Sequence, residues 1–202
     1  MAARMKKVGK VLQKEHLQQL IKDCQQHKRS AQRELYELFA DDLMNLAMRY
    51  ARDKSMARDL VHDTFLKVFE SIPSFKLNKG SFKGWMSRIL INKAVESYRR
   101  NRRMIYAETP GLMRELSTEN LAIDKLEAED ILQLLQQLPV GSRMIFNMYV
   151  IEGFRHDEIA KVMGISSSTS RSQLTRAKQI LREKIRTQFL FDRRRDILRQ
   201  RS

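Results

Sequence analysis

One glycine limits what the C-terminal third of this chain can become. Residues 155–186, RHDEIAKVMGISSSTSRSQLTRAKQILREKIR, carry helical periodicity on both sides of Gly164. Glycine takes the left-handed conformation that ends a helix with little strain, and Ser166 or Ser167 can cap a following helix by accepting a bond from a free backbone N–H. The stretch therefore reads as two helices and a tight turn, the first over residues 156–163, with Ile165 facing inward. In the second helix Ser170, Leu174, Ala177, Leu181 and Ile185 share one stripe. The opposite side carries Ser168, Ser172, Thr175, Arg176 and Gln179, with Arg171 and Lys178 on a flank. A helix in the DNA major groove needs such a short-chain, polar and basic face, because arginine forks onto guanine while hydroxyls and amides reach base edges or phosphates. The short glycine-containing turn is the helix-turn-helix signature. A surface helical hairpin with a solvated charged face fits the same residues, so the rest of the chain has to decide.

Charge is the next constraint. The 202 residues carry a net charge of +15, which favours a polyanionic partner, either nucleic acid or an anionic membrane surface. Residues 76–103 hold nine basic side chains and one acid, Glu96. Residues 108–130 hold seven acids and two basic residues, and residues 155–186 hold eight basic residues and three acids. Two basic blocks separated by an acidic one suggest two separate contact surfaces.

Three prolines and seven glycines among many Leu, Gln, Arg and Lys favour an all-α chain. A first helix would bury Val11, His16, Leu17, Leu20, Ile21 and Cys24. Ser30 would cap a second helix carrying Leu35, Leu38, Phe39, Leu43, Leu46, Ala47 and Tyr50 inward. A third helix, started by Asp53 or Ser55, would bury Leu60, Val61, Phe65, Leu66, Val68 and Phe69 and expose Asp59, His62, Asp63, Lys67 and Glu70. Residues 72–80, IPSFKLNKG, form a loop, because Pro73 and Gly80 forbid a continuous helix. A helix over residues 81–103 then places Trp85, Arg88, Asn92 and Arg99 on one stripe, and Met86, Ile89, Leu90 and Ala94 elsewhere. After a linker, helicity resumes near Asp124, with Leu126, Ile131, Leu134, Leu135 and Leu138 packing. A short helix over residues 142–151 holds Met144, Ile145, Met148 and Tyr149. The last residues, FDRRRDILRQRS, are a basic tail or a frayed helix.

Several of these stretches match one pattern in one order. Residues 59–69, DLVHDTFLKVF, residues 82–103, FKGWMSRILINKAVESYRRNRR, and Leu138-Pro139 followed by residues 154–181 together resemble the extracytoplasmic-function group of the sigma-70 family of bacterial transcription initiation factors. The first is similar to that family's polymerase-docking helix, with His62 where glutamine is more usual. The second is similar to its promoter-melting helix, and the third to its DNA-reading helix-turn-helix. Arg155 stands where a capping serine is common, Ser170 where valine is usual and Gln173 where arginine is usual. The resemblance implies two small helical domains joined by a flexible acidic linker. Residues 1–28 are a basic tail and first helix, 29–104 a sigma-2-like domain, 105–123 the linker, 124–190 a sigma-4-like domain and 191–202 a basic tail.

The resemblance also implies roles. Asp59, Leu60, Asp63, Phe65 and Leu66 would bind core RNA polymerase. Phe75, Lys83, Trp85, Arg88, Asn92, Arg99 and Arg100 would hold the melted strand near −10, where a basic channel attracts phosphates and aromatic faces stack on bases. The loop over residues 75–82 would hold a flipped base. Ser168, Arg171, Ser172, Thr175, Arg176 and Gln179 would read the −35 duplex. The partners are core polymerase, promoter DNA and, as the family allows, an anti-sigma factor. Read without the resemblance, Trp85 and Phe82 are more often core residues than stacking platforms, and the acids of residues 59–70 read first as a solvated face with Asp59 near a helix start.

No cofactor and no metal are expected: the four histidines are scattered, cysteine pairs are absent and no glycine-rich phosphate loop occurs. Asp157 and Glu158 read as the acidic first turn of a helix rather than a catalytic pair. The chain is thus expected not to be an enzyme. Its lone cysteine, Cys24, and the lack of a long apolar run point to the cytoplasm, without membrane insertion or a small-molecule substrate. A free-standing helix-turn-helix regulator is the alternative, and the basic-aromatic segment 82–103 speaks against it, since a duplex reader has no need of one. A membrane-surface protein, drawn from the terminal basic clusters, lacks an amphipathic anchor.

Overall fold

The computed structural model describes residues 15–76, 80–105 and 128–199, and all of its regular elements are helices. In order these are α1 (15–25), α2 (Arg29–Tyr50), α3 (Lys54–Ser71), a 3-10 turn (Ile72–Ser74), α4 (Phe82–Ile105), α5 (Ala128–Gln136), α6 (Val140–Phe146) running into a π-helical turn (Asn147–Ile151), α7 (His156–Met163) and α8 (Ser167–Arg199). Side chains of residues 101–105, 128–131 and 188–199 are outside the description. The backbone groups into two compact units, one from residues up to Met48 with Asp53–Ala94, the other from Arg49–Arg52 with Val95 onward.

The core of the first unit is built from the i, i+3 and i+4 stripes of α1 to α4. Leu20, Ile21 and Cys24 of α1, Ala31, Leu35, Phe39, Leu43 and Leu46 of α2, Ala57, Leu60, Val61, Phe65 and Val68 of α3 and Phe82, Met86, Leu90, Ile91 and Ala94 of α4 are all buried. Asp53 caps α3, its carboxylate accepting the Met56 N–H at 2.9 Å, and Ser81 caps α4 by accepting the Gly84 N–H at 3.0 Å. Burial pushes the Cys24 thiol up to about 11, with the Asp23 and Glu34 charges adding to it, so Cys24 is an apolar filler rather than a nucleophile.

Some expectations need correction. Leu38 and Leu66 are exposed, 54% and 52%, because each sits one position off its helix's inward stripe. His16 faces solvent, 2.7 Å from Glu34. Phe69, Leu17 and Ile89 are half-buried. α2 begins at Arg29, so Ser30 is inside the helix rather than its cap. Val11, Leu126, the linker 105–123 apart from Ile105, and the side chain of Ile131 lie outside the described residues.

In the second unit Leu134, Leu135, Leu138, Met144, Ile145, Met148, Ile159, Met163, Leu174, Ala177 and Leu181 are buried. The single helix expected over residues 142–151 is instead α6 plus the π-helical turn. The wider π-turn rotates Tyr149 outward, where it is exposed and stacks on His156 with ring centroids 4.3 Å apart. Arg143 is the one buried guanidinium among the described residues, and its donors reach the carbonyls of Gln136 and Tyr50 at 3.3 Å each. Asn147 Nδ2 donates to the Arg49 carbonyl at 2.7 Å, and Arg49 pairs with Glu152. The C-terminal segment is helical through Arg199 as the continuation of α8, whose Ile185 is half-buried rather than inside.

Candidate nucleic-acid interface

The helix pair is set by its turn. The Glu158 carboxylate reaches back to accept the Arg155 N–H at 2.8 Å, which closes the first turn of α7 where no capping serine stands. Gly164 ends α7 at φ 67, ψ 41, a left-handed geometry that a Cβ would strain, and its N–H bonds the Ala160 carbonyl. Ser166 accepts the Thr169 N–H at 3.0 Å and so starts α8, while Ile165 between them is half-buried.

On α8 the inward stripe Ser170, Leu174, Ala177 and Leu181 is buried, and the outward face is the expected one. Ser168, Arg171 and Arg176 are exposed, and Ser172, Thr175 and Gln179 are half-buried. Ser172 Oγ donates to the Thr169 carbonyl and Thr175 Oγ1 to the Arg171 carbonyl, each at 3.1 Å, which leaves their oxygen lone pairs outward as acceptors. Ser168 Oγ is 2.7 Å from Ser166 Oγ, and Gln179 donates to Glu183 at 3.3 Å.

Two unusual residues have structural partners. Ser170 is fully buried, and its hydroxyl is 2.9 Å from His156 Nδ1. Gln173 Oε1 accepts from Ser142 Oγ at 2.5 Å. Both side chains therefore tie α8 to α6 and α7 instead of reading bases. His156 thus belongs to the site's support. Partial burial, then the Arg171 and Lys178 cations, hold its pKa below the ordinary value, against a smaller opposing effect of Asp157.

In the first unit the rings of Phe75, Phe82 and Trp85 form one cluster. Centroids lie 5.0 Å apart for Phe75–Phe82, 4.9 Å for Phe75–Trp85 and 5.4 Å for Phe82–Trp85. Phe82 is buried and also meets Phe39 at 5.7 Å, so it is a core residue, whereas Phe75 and Trp85 are half-buried and present ring surface. Arg88 and Asn92 are exposed along the same stripe of α4, and Lys83 is exposed but 2.6 Å from Asp42 Oδ2. Arg99 and Arg100, also exposed, lie past Ala94 on the part of α4 that groups with the second unit.

The third set lies on α3. Asp59, Asp63 and Leu66 are exposed, while Leu60 and Phe65 are buried and serve packing only. Of the five residues expected at the docking face, Leu60 and Phe65 are therefore in the hydrophobic core and Asp59, Asp63 and Leu66 are on the surface. Tyr36 of α2 was not among the expected residues. It is 46% exposed, and its ring is 4.6 Å from that of Phe65, which puts an apolar surface beside α3. An exposed aromatic on an otherwise polar face was the signal for it.

The comparisons with known proteins fall on these same elements. A family model described as Sigma-70 region 2 matches residues 35–104, and one described as Sigma-70, region 4 matches residues 128–181, together more than half of the chain. The chain belongs to the sigma-70 family. Among its sigma-70 relatives is the ECF RNA polymerase sigma factor SigE of Mycolicibacterium smegmatis, 30% identical over 157 residues that cover 74% of this chain and 60% of that protein. The ECF RNA polymerase sigma factor SigM of Bacillus subtilis is 24% identical over 152 residues, covering 74% and 91%. The chain thus spans three fifths of the first relative's length and nine tenths of the second's. Among solved structures, the sigma factor RpoE of Bartonella quintana, crystallised with the anti-sigma factor NepR, has a TM-score of 0.49 and 22% identity over 76% of this chain and 96% of that one. The region 2 match holds α3, the ring cluster and α4, and the region 4 match holds the helix-turn-helix. α1 lies outside both.

Proposed function

We propose that the chain is the promoter-specificity subunit of a bacterial RNA polymerase, of the extracytoplasmic-function type. Three surfaces divide the work. Asp59, Asp63, Leu66 and Tyr36 form a docking face for core polymerase. Phe75 and Trp85, with Lys83, Arg88 and Asn92 of the first unit, hold the non-paired strand near −10, and Arg99 and Arg100 add their charge from the later turns of α4. Ser168, Arg171, Ser172, Thr175, Arg176 and Gln179 read the −35 duplex. The observation that supports the reading is that one chain carries two different polar and basic surfaces. The exposed face of α8 is suited to a duplex groove, and the aromatic and basic start of α4 is suited to single strands.

The role is one of binding rather than covalent chemistry. Base flipping and local opening cost a few kcal/mol, and strand contacts made after opening offset them. No described helix is long and apolar enough to cross a membrane, and the proposed place of action is the cytoplasm, with core polymerase, promoter DNA and a regulatory anti-sigma factor as partners. The purified chain should give core polymerase specific transcription starts on genomic fragments of its host. Starts indistinguishable from those of core alone would overturn the proposal and leave a free-standing duplex-binding regulator.

A further inference from the structure

The short turn that carries Phe75 is held at both ends by a side chain from α1. Gln25 Nε2 donates to the Ile72 carbonyl at 3.0 Å and to the Phe75 carbonyl at 3.3 Å. The Phe75 N–H itself bonds the Ile72 carbonyl at 3.0 Å, so the 3-10 turn is closed internally and then tied across its mouth. A primary amide suits this task because its two hydrogens serve two acceptors from one nitrogen. A carboxylate would bring no donor, and an aliphatic side chain would remove both cross-ties, leaving the Ile72 carbonyl only its bond from the Phe75 N–H. α1 is itself fixed: Leu20, Ile21 and Cys24 are buried in the first unit's core, and the Lys28 N–H closes the end of the helix on the Asp23 carbonyl. Gln25 is therefore a rigid anchor point rather than a passing contact. Beyond Phe75 the chain becomes exposed at Lys76 and again at Gly80, whose φ of 137 only glycine adopts easily.

We propose that Gln25 is a positioning residue for the capture of an unpaired promoter base. It fixes the backbone under Phe75, and so the ring surface that Phe75 and Trp85 offer to the base, before DNA arrives. The inference rests on the −10 role proposed above for Phe75. A turn ordered in advance spares the complex the conformational entropy of ordering it on binding. It also gives α1, which neither family match includes, a part in promoter opening.

The experiment uses the full chain assembled with core polymerase on a promoter it transcribes. Three variants are compared with wild type: Gln25→Met, which keeps the length and removes both donors, Phe75→Ala, and the two combined. Open-complex formation is read by permanganate reactivity of unpaired thymines, and binding to core by co-purification. Gln25→Met is expected to lower open-complex formation about 5- to 150-fold, the worth of two ordinary neutral hydrogen bonds. It should leave core binding unchanged and add little to the loss already caused by Phe75→Ala, because coupled residues are non-additive. Wild-type opening by Gln25→Met alongside a defective Phe75→Ala would overturn the inference and spare the −10 reading. Wild-type opening by Phe75→Ala would overturn that reading and the inference with it. Full additivity, or an equal loss of core binding, would make Gln25 a general stability residue and also overturn it.

Discussion

Arg176 and Arg171 both stand exposed on α8, yet they differ in what explains them. Arg171 lies close enough to the His156 ring to depress its protonation, so it shapes the site's field as well as its surface. Arg176 lies across the helix from the Leu174–Leu181 stripe, with no packing task. A bidentate arginine–guanine contact is worth about 1–3 kcal/mol of discrimination. Arg176→Ala should lower promoter-specific transcription about 5- to 100-fold and relax preference at one −35 position, as read by selection from a randomised −35 library. An equal loss over all sequences would assign Arg176 to phosphate and leave Arg171 as the base reader. His156 gives a second residue-level expectation. Its pKa in the folded chain is below the ordinary 6.5, so the unfolded chain takes up the proton first as pH falls. Its contribution is fully present above pH 6.5 and is lost as pH falls below that value toward the folded pKa. Urea unfolding followed between pH 7.5 and 5 should show that slope, and His156→Gln should flatten it.

At the scale of elements, α3 and α4 each show two faces with different tasks. The inward face of α3 is fixed by Leu60, Val61, Thr64, Phe65 and Val68, while Asp63 and Leu66 contribute nothing to that core. Asp63→Lys should therefore weaken assembly with core polymerase and leave thermal stability within about 0.5 kcal/mol of wild type. Co-purification at the wild-type level would remove α3 from the docking face. On α4 the buried residues Met86, Leu90, Ile91 and Ala94 explain why the helix forms, and they leave Arg88 and Asn92 unexplained by packing. Changing both to alanine should reduce permanganate reactivity at the promoter far more than it reduces binding to core. Unchanged reactivity would place the strand on Phe75 and Trp85 alone.

For the molecule as a whole, the charge of +15 is divided between two compact units, so neither alone carries all of the DNA surface. Phosphate contacts weaken steeply with salt, and a few such contacts on a small surface bind poorly at physiological ionic strength. The free chain should show weak, salt-sensitive binding in gel-shift titrations, and the holoenzyme strong binding to the same promoter. Tight, salt-resistant binding of one duplex site by the free chain would favour the free-standing regulator.

Local signals alone made much of this legible. The 3.6-residue period and the few breakers decided the helices. Gly164 placed the end of α7, and Ser166 the start of α8, because those conformations depend on neighbours in sequence. The exposed residues of α8 and α4 followed from the same period. Tertiary structure decided which members of an apolar stripe complete a core and which stand outside it. Phe65 and Leu66 are adjacent in sequence and opposite in burial, since the space facing each depends on the other helices. It also decided the long-range pairings: Ser170 with His156, Gln173 with Ser142, and Gln25 with the turn under Phe75. A hydrogen bond between residues 14, 31 or 47 positions apart leaves no trace in local periodicity, because its geometry exists only once the helices have packed.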